Sequence, residues 1–299
     1  MTLAVRSAWH LGMPHTIAGA LGEVALIARC QDLHWRELGR LSGRAASRLA
    51  DAAGRDVYAS VFFVDLAADA ARGLAAFQPD DELELVGRLG RYGASMLDGW
   101  HGVYRAGALP AALPADLPPP LAQVRMAFVL VAMGGGNDDL RVAAPANARM
   151  EAIAPLAAEP DAYRLSRAAR AAGGFGAAPA HAAPLWSGAQ TVTLAIDPDR
   201  DLNGVGLLYF ANYVAFLDAA ERQALLAAGL SAAQLAGRVS VRRRIAYYGN
   251  ALASDQLRVA VEAHALDGER RRLHIGARVH RVSDDRLIAV AAAERVLRP

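Results

Sequence analysis

Apolar and polar residues alternate with a period of two along eight or so stretches of the chain and shift to helical spacing in two others. In the first half, VYASVFFVDLAA (57–68), ELELVGRLGRY (82–92), ASMLDGWHGVYR (94–105) and VRMAFVLVAM (124–133) read as strands. The run GEVALIARCQDLHWREL, from Gly22 to Leu38, precedes them and has the spacing of an apolar helix. The second half repeats this plan. A strand near TVTLAID leads to a long apolar run from Gly206 to Ala228, followed by VSVRRRIAYYG, DQLRVAVEAHAL, RRRLHIGARVHRV and RLIAVAAAERVL. Between the halves, residues 141–187 are rich in Ala, Pro and Gly and lack sustained alternation, which predicts a helical or irregular connection. The stretch 106–120, AGALPAALPADLPPP, is too dense in proline for an element interior and joins two strands. Gly134 to Asn137 carry a hairpin-turn signal.

Each half thus offers one helix and about four strands in meander order. A helix apolar on nearly every face has to be covered by protein, and an antiparallel sheet curling around it does so. The predicted class is α+β, a double hot-dog fold in which two antiparallel sheets are each wrapped around a central helix. The expected boundaries are an N-terminal domain over 1–145, a linker over 146–188 and a C-terminal domain over 189–299. A length of 299 residues accommodates two such cores.

Composition narrows the chemistry. With 54% hydrophobic and 21% charged residues the chain is that of a globular protein. Every one of the 32 basic side chains is arginine, since the sequence contains no lysine. That excludes Schiff-base and pyridoxal-phosphate lysines, the P-loop lysine and the strand lysine of protein kinases. A single cysteine, Cys30, precludes an internal disulfide framework and offers no metal-ligand spacing, which suits a reducing cytoplasm. MTLAVRSAWHLGMPH lacks the pattern of a secretory leader, and no apolar run is long enough to span a membrane. The net charge of +2 is too small to favour nucleic acid as a partner. The expectation is a cytoplasmic protein without metal or resident cofactor.

The most informative segment is DLNGVGLLYFANYVAFLDAAERQAL, from Asp201 to Leu225. A Gly-rich turn before a helix lets backbone approach a ligand, and free N–H groups there can hold a carbonyl oxygen as negative charge develops. Gly206 and Leu207 are the candidates for that role, against the plainer reading of a Gly turn capping a helix. The segment resembles the loop and helix start of hot-dog acyl-CoA thioesterases, in the places held here by Asp201, Asn203, Gly206, Leu207, Leu208, Tyr209, Asn212, Tyr213, Glu221 and Arg222. One position departs from that pattern. Where those enzymes have a second acid as nucleophile or base, this chain has Asn203, an amide that cannot take a proton from water but can donate a hydrogen bond to a carboxylate or enolate oxygen. Asp201 is the nearest carboxylate that can substitute.

Over nearly the whole chain the sequence also resembles a narrower family, the leinamycin-type acyltransferase/decarboxylases (LnmK-like). The residues carrying this resemblance are LGMPHTIAGALGE, DLHW and VYAS in the first half, with DLNGVGLLYFANY and RRRIAYYGNA in the second. It implies decarboxylation of a (methyl)malonyl-CoA and transfer of the acyl group to the phosphopantetheine of an acyl carrier protein, in polyketide or peptide biosynthesis. It also places a catalytic tyrosine at Tyr58, which as a strand residue is equally suited to packing.

His34, near the end of the first predicted helix, is suited to bonding a phosphopantetheine, orienting a catalytic group or capping helix carbonyls. Glu23, at the start of that helix, favours the dipole there and is a candidate substrate contact. Arg242, Arg243 and Arg244, and Arg270 to Arg272, form two basic runs, read as solvated strand ends or as sites for carrier-protein or coenzyme A phosphates. Asn203 ranks the decarboxylating transferase first. The alternatives are an acyl-CoA or acyl-carrier thioesterase and a non-catalytic carrier-binding scaffold; a homodimer is expected in each case.

Overall fold

The structure, a computed structural model, describes residues 5–133, 140–269 and 271–298; the turn signal at Gly134 to Asn137 and Arg270 lie outside them. Two units can be distinguished, one formed by Met1–Leu66 and Ala76–Arg164, the other by Ala67–Ala75 and Leu165–Pro299.

The first unit contains β1 (Val5–His10), β2 (Thr16–Ile17), β3 (Ala20–Leu21), α1 (Glu23–Ser42), β4 (Val57–Ala68, whose last two residues cluster with the second unit), β5 (Glu82–Tyr92), β6 (Met96–Arg105), β7 (Ala122–Met133) and β8 (Leu140–Val142). Its sheet runs β1-β5-β6-β7-β4, with β8 added on β7. β2 and β3 form a small hairpin whose two central residues, Ala18 and Gly19, both have positive φ, the conformation that suits a two-residue hairpin turn. The bounds of β4 and β5 are those predicted from alternation. β1 was not anticipated, because VRSAWH buries only Trp9 and reads as polar.

Period-two alternation explains the inner face. Leu83, Leu85 and Leu89 of β5 and Leu97, His101 and Val103 of β6 are buried, and α1 lays Leu26, Ile27, Leu33 and Leu38 into the same core. Each of the leucine, isoleucine and valine side chains contributes roughly 1.5–3 kcal/mol on burial. Gly87 and Gly99 lie so close to α1 that an added Cβ would come within 3.1 Å of Leu33 and of His34 Nδ1 respectively. The helix is nevertheless not apolar all round: Asp32, Arg36 and Arg40 form an exposed stripe, with Asp32 paired to Arg29 and Arg36.

The second unit repeats the plan with α2 (Asp161–Ala172, whose first residues cluster with the first unit), β9 (Ala183–Pro184), β10 (Gln190–Ala195), α3 (Pro198–Asp201), α4 (Tyr213–Ala227), α5 (Ala232–Ala236), β11 (Arg238–Tyr247), β12 (Gln256–Ala265), β13 (Arg272–Arg281) and β14 (Leu287–Leu297). The order is β11-β14-β13-β12-β10, with β9 on β12. α4 buries Val214, Phe216, Leu217, Ala220, Ala224 and Leu225.

In both units the strand after the central helix departs from the expected meander. β4 pairs with β7 and β11 with β14, rather than with the next strand in sequence. The three later strands of each unit close as successive antiparallel neighbours, which leaves the outer edge of the last one to accept the first. Among the described residues no helix is long and apolar enough to cross a membrane.

Candidate active site

The turn before α4 is held by the Asn203 side chain, by backbone hydrogen bonds and by Asn250. Asn203 Oδ1 accepts the N–H groups of Val205 (3.1 Å) and Leu207 (3.0 Å), and the Asn203 carbonyl accepts Gly206 N–H at 2.9 Å. Leu208 N–H donates to Asn250 Oδ1 at 3.1 Å, and Tyr209 N–H to the Asp201 carbonyl at 2.8 Å. Gly206 sits at the exposed tip with φ near 75°, a left-handed conformation that favours glycine. The N–H groups of Gly206 and Leu207, expected to face a thioester oxygen, are therefore both spent inside the turn. Asn203 closes an Asx-type loop, so its amide has a structural use that the bare sequence pattern did not disclose.

Asp201 is buried and fully engaged. Its carboxylate accepts Asp197 N–H at 2.8 Å and a two-pronged contact from Arg200, both prongs at 2.8 Å. Two tyrosines brace the same region: Tyr247 donates to the Phe210 carbonyl at 3.0 Å and Tyr213 to that of Gly249 at 3.4 Å. Burial pushes both phenols well above the usual range, so they act here as hydrogen-bond donors. Tyr209, half-buried, meets the Phe210 ring edge-on at 5.0 Å.

The basic run Arg242 to Arg244 is split by the strand period. Arg243 points inward with Val239, Val241 and Ile245, where its Nη2 donates to Asp218 at 2.5 Å. It cannot serve as a phosphate or carrier contact as expected, because its charge is used within the core. Arg242 and Arg244 are half-buried on the opposite face, and Arg244 stands 5.5 Å over the Phe175 ring.

In the first unit, Glu23 opens α1, is 7% exposed, and follows Gly22, which makes no side-chain cap. His34 lies in mid-helix rather than at the helix end, since α1 continues to Ser42 and stops at Gly43 in the left-handed conformation; a role in capping carbonyls is thereby removed. Its ring is fully buried, stacked 3.6 Å from Phe128 and 6.4 Å from His101, and neither ring nitrogen has a hydrogen-bond partner. Burial holds His34 well below the usual imidazole range and lowers His101 to about 4. Burial also raises Glu37, one turn further along α1, to about 7, against the opposing pull of Arg40. Tyr58 is half-buried on β4, its ring 6.0 Å from Trp35. His101 and Glu37 were not singled out from sequence, although His101 shares the inward parity of Leu97 and Val103, which was a readable signal.

No family model matches the chain, and no curated protein matches it in sequence. Solved structures do match in fold. A protein described as an oleoyl thioesterase from Lactobacillus plantarum aligns with a TM-score of 0.69 at 9% identity, covering 100% of this chain and 96% of that one. The 12:0-ACP thioesterase from Umbellularia californica aligns at 0.63 and 10% identity, over 100% and 99%. An acyl-ACP thioesterase from Bacteroides thetaiotaomicron aligns at 0.60 and 9% identity, over 98% and 97%. The chain has the double hot-dog fold. Identity this low carries the architecture and not the site residues, so the chemistry of each hot-dog unit rests on its own geometry. Neither central helix has a side-chain cap at its start; what distinguishes them is that the Gly206 and Leu207 N–H groups before α4 are bound by Asn203, whereas α1 opens with a buried carboxylate, Glu23.

Proposed function

We propose that this protein hydrolyses acyl thioesters carried by an acyl carrier protein or coenzyme A. The observation that carries the reading is the match of the double hot-dog architecture, over essentially the full length of both partners, to proteins described as acyl-ACP thioesterases. Asn203 stands where thioesterases of this fold are expected to carry a base. Its side chain builds the turn, so a base for hydrolysis has to come from elsewhere in the chain.

The reaction then centres on the start of α1. The Glu23 carboxylate takes a proton from water as the water oxygen attacks the thioester carbonyl. The first-turn N–H groups of α1 stabilise the developing oxyanion, helped by the positive end of the helix dipole. Collapse breaks the C–S bond, the proton returns to the leaving thiolate, and a free acid and a thiol result. Arg242 and Arg244 are suited to docking the acidic carrier, in a protein acting in the cytoplasm as a homodimer. No bound cofactor is needed for this chemistry.

One observation favours a second reading. Asp201, the carboxylate within the turn, has both oxygens engaged, so that turn offers no spare base for water. The decarboxylation of a (methyl)malonyl-CoA, followed by acyl transfer to a carrier through Tyr58, needs none. A panel of acyl-CoA and acyl-carrier substrates, followed for thiol, free acid and carbon dioxide, separates the readings. Thiol and free acid from the parent, with a loss of roughly a hundredfold in Glu23→Gln, support hydrolysis. Carbon dioxide and acylated carrier without free acid, abolished in Tyr58→Phe, would replace it with transfer; no turnover of any substrate would leave a carrier-binding scaffold.

A further inference from the structure

The outer face of the first sheet, opposite α1, carries a second apolar layer. Here Val86 and Tyr104 are buried under Leu109, and Trp100, Leu113 and Leu117 pack against them. The Pro-rich segment 106–120 supplies these leucines at intervals of four and is tied down over the strands. Tyr104 Oη donates to the Pro118 carbonyl at 2.9 Å, and Arg88 Nη2 to the carbonyls of Pro114 and Ala115 at 3.2 and 2.6 Å. On the far side, Leu156 lies over Gly90, where an added Cβ would come within 2.5 Å of its side chain.

Between Leu117 and Leu156 the apolar layer is interrupted by a cavity of about 540 Å³, floored by Arg88, Gly90 and Trp100 and walled by Pro155. That size lies within the range of small-molecule sites. The charged groups lining it are largely answered by protein. Arg88 donates to two carbonyls and stands 6.0 Å over the Trp100 ring. Asp98 is gripped by Arg125 through Nε at 3.0 Å and Nη2 at 2.8 Å, and Asp116 is on the solvent-exposed loop. A lining so balanced attracts neither an anion nor a cation strongly, and the leucines on either side show which chemistry the layer accepts.

We infer that this cavity is a binding site for a hydrocarbon chain, seated between Leu117 and Leu156 on the Trp100 ring, on the sheet face turned away from α1. That the chain belongs to an acyl group, as the tail of a bound thioester or as a free fatty acid, rests on the proposed function. The hydrocarbon specificity rests on the cavity alone.

The probe is octanol, titrated into the whole protein by calorimetry with tryptophan emission followed in parallel. Saturable binding of one octanol per chain is expected, with an emission change that disappears in Trp100→Phe. Leu117→Trp and Ala157→Trp fill the cavity from opposite sides, the latter from an exposed position, and each should weaken octanol by roughly tenfold or more by occupying its place. Absence of saturable binding, or affinity unchanged in a folded Ala157→Trp, overturns the inference. With binding established, the filled variants are titrated with octanoate and with the non-hydrolysable octyl thioether of coenzyme A. Weakening of the thioether assigns the site to the substrate's own tail, and weakening of octanoate alone assigns it to a free acid. None of these titrations requires turnover, so a failure of the hydrolytic reading leaves the octanol result standing.

Discussion

Arg295 of β14 grips Glu221 of α4 with two parallel hydrogen bonds, Nε to Oε1 at 2.9 Å and Nη2 to Oε2 at 3.1 Å, and both side chains are almost wholly buried. Arg295 and Arg243 also converge on a single oxygen of Asp218, each at 2.5 Å, and Arg238 approaches Glu221 at 3.4 Å. The central helix of the second unit is thus tied to its sheet by charge as well as by apolar packing. Removing one member strands its partners in the core.

Glu221→Gln should therefore lower the stability of the protein to urea by about 3–5 kcal/mol. Replacing Glu221 and Arg295 together by methionine should cost clearly less than the sum of the two single changes, because no unpaired charge is then left between them. Additive losses across this double-mutant cycle would show that the contact carries no coupling energy.

Acid should destabilise the first unit through its buried imidazoles. An unfolded histidine gains a proton near pH 6.5, whereas His101 in the fold does so only near 4, and His34 is likewise lowered. Between those limits the unfolded chain binds more protons, so stability falls as pH falls, by roughly 3 kcal/mol for His101 at the acid end. Glu37 works in the opposite sense: its value is raised from 4.5 to about 7, so its contribution is present below about 4.5 and is lost as pH rises from there through 7. Between about pH 4 and 7, urea midpoints should fall less on acidification in His101→Leu than in the parent, and more on acidification in Glu37→Gln, which loses the opposing contribution. Slopes equal to the parent's in both variants would mean that neither group is buried as described.

Asn203 is expected to matter through its acceptor oxygen. Asn203→Asp retains an acceptor for Val205 and Leu207 N–H and should keep the turn, while Asn203→Ala loses both bonds and should cost about 1–2 kcal/mol. If the alanine variant is as stable as the parent, the turn does not depend on this side chain. If the aspartate variant alone hydrolyses thioesters faster, the amide had been withholding a base after all.

Much of the fold was legible because it rests on local periodicity. Alternation delimits β4 and β5, and the apolar run after Gly22 marks the start of α1. The end of α1 was less clear because its last turn, beyond Leu38, is largely polar and depends on the left-handed Gly43. β1 is a mostly polar edge strand, and the pairing of β4 with β7 is a long-range choice that no local pattern encodes. In the site, the inward turn of Arg243 was readable from its parity with Val241 and Ile245. The use of the Gly206 and Leu207 N–H groups was not, since it depends on how the side chain of Asn203 folds back over the turn.

Hydrolysis is tested by incubating the protein with octanoyl-carrier protein in heavy-oxygen water and weighing both products by mass spectrometry. Hydrolysis predicts free carrier thiol and octanoic acid bearing one heavy oxygen atom, with both lost in Glu23→Gln. An acyl group that stays on the carrier, or moves to a second thiol without heavy oxygen entering any released acid, would contradict it.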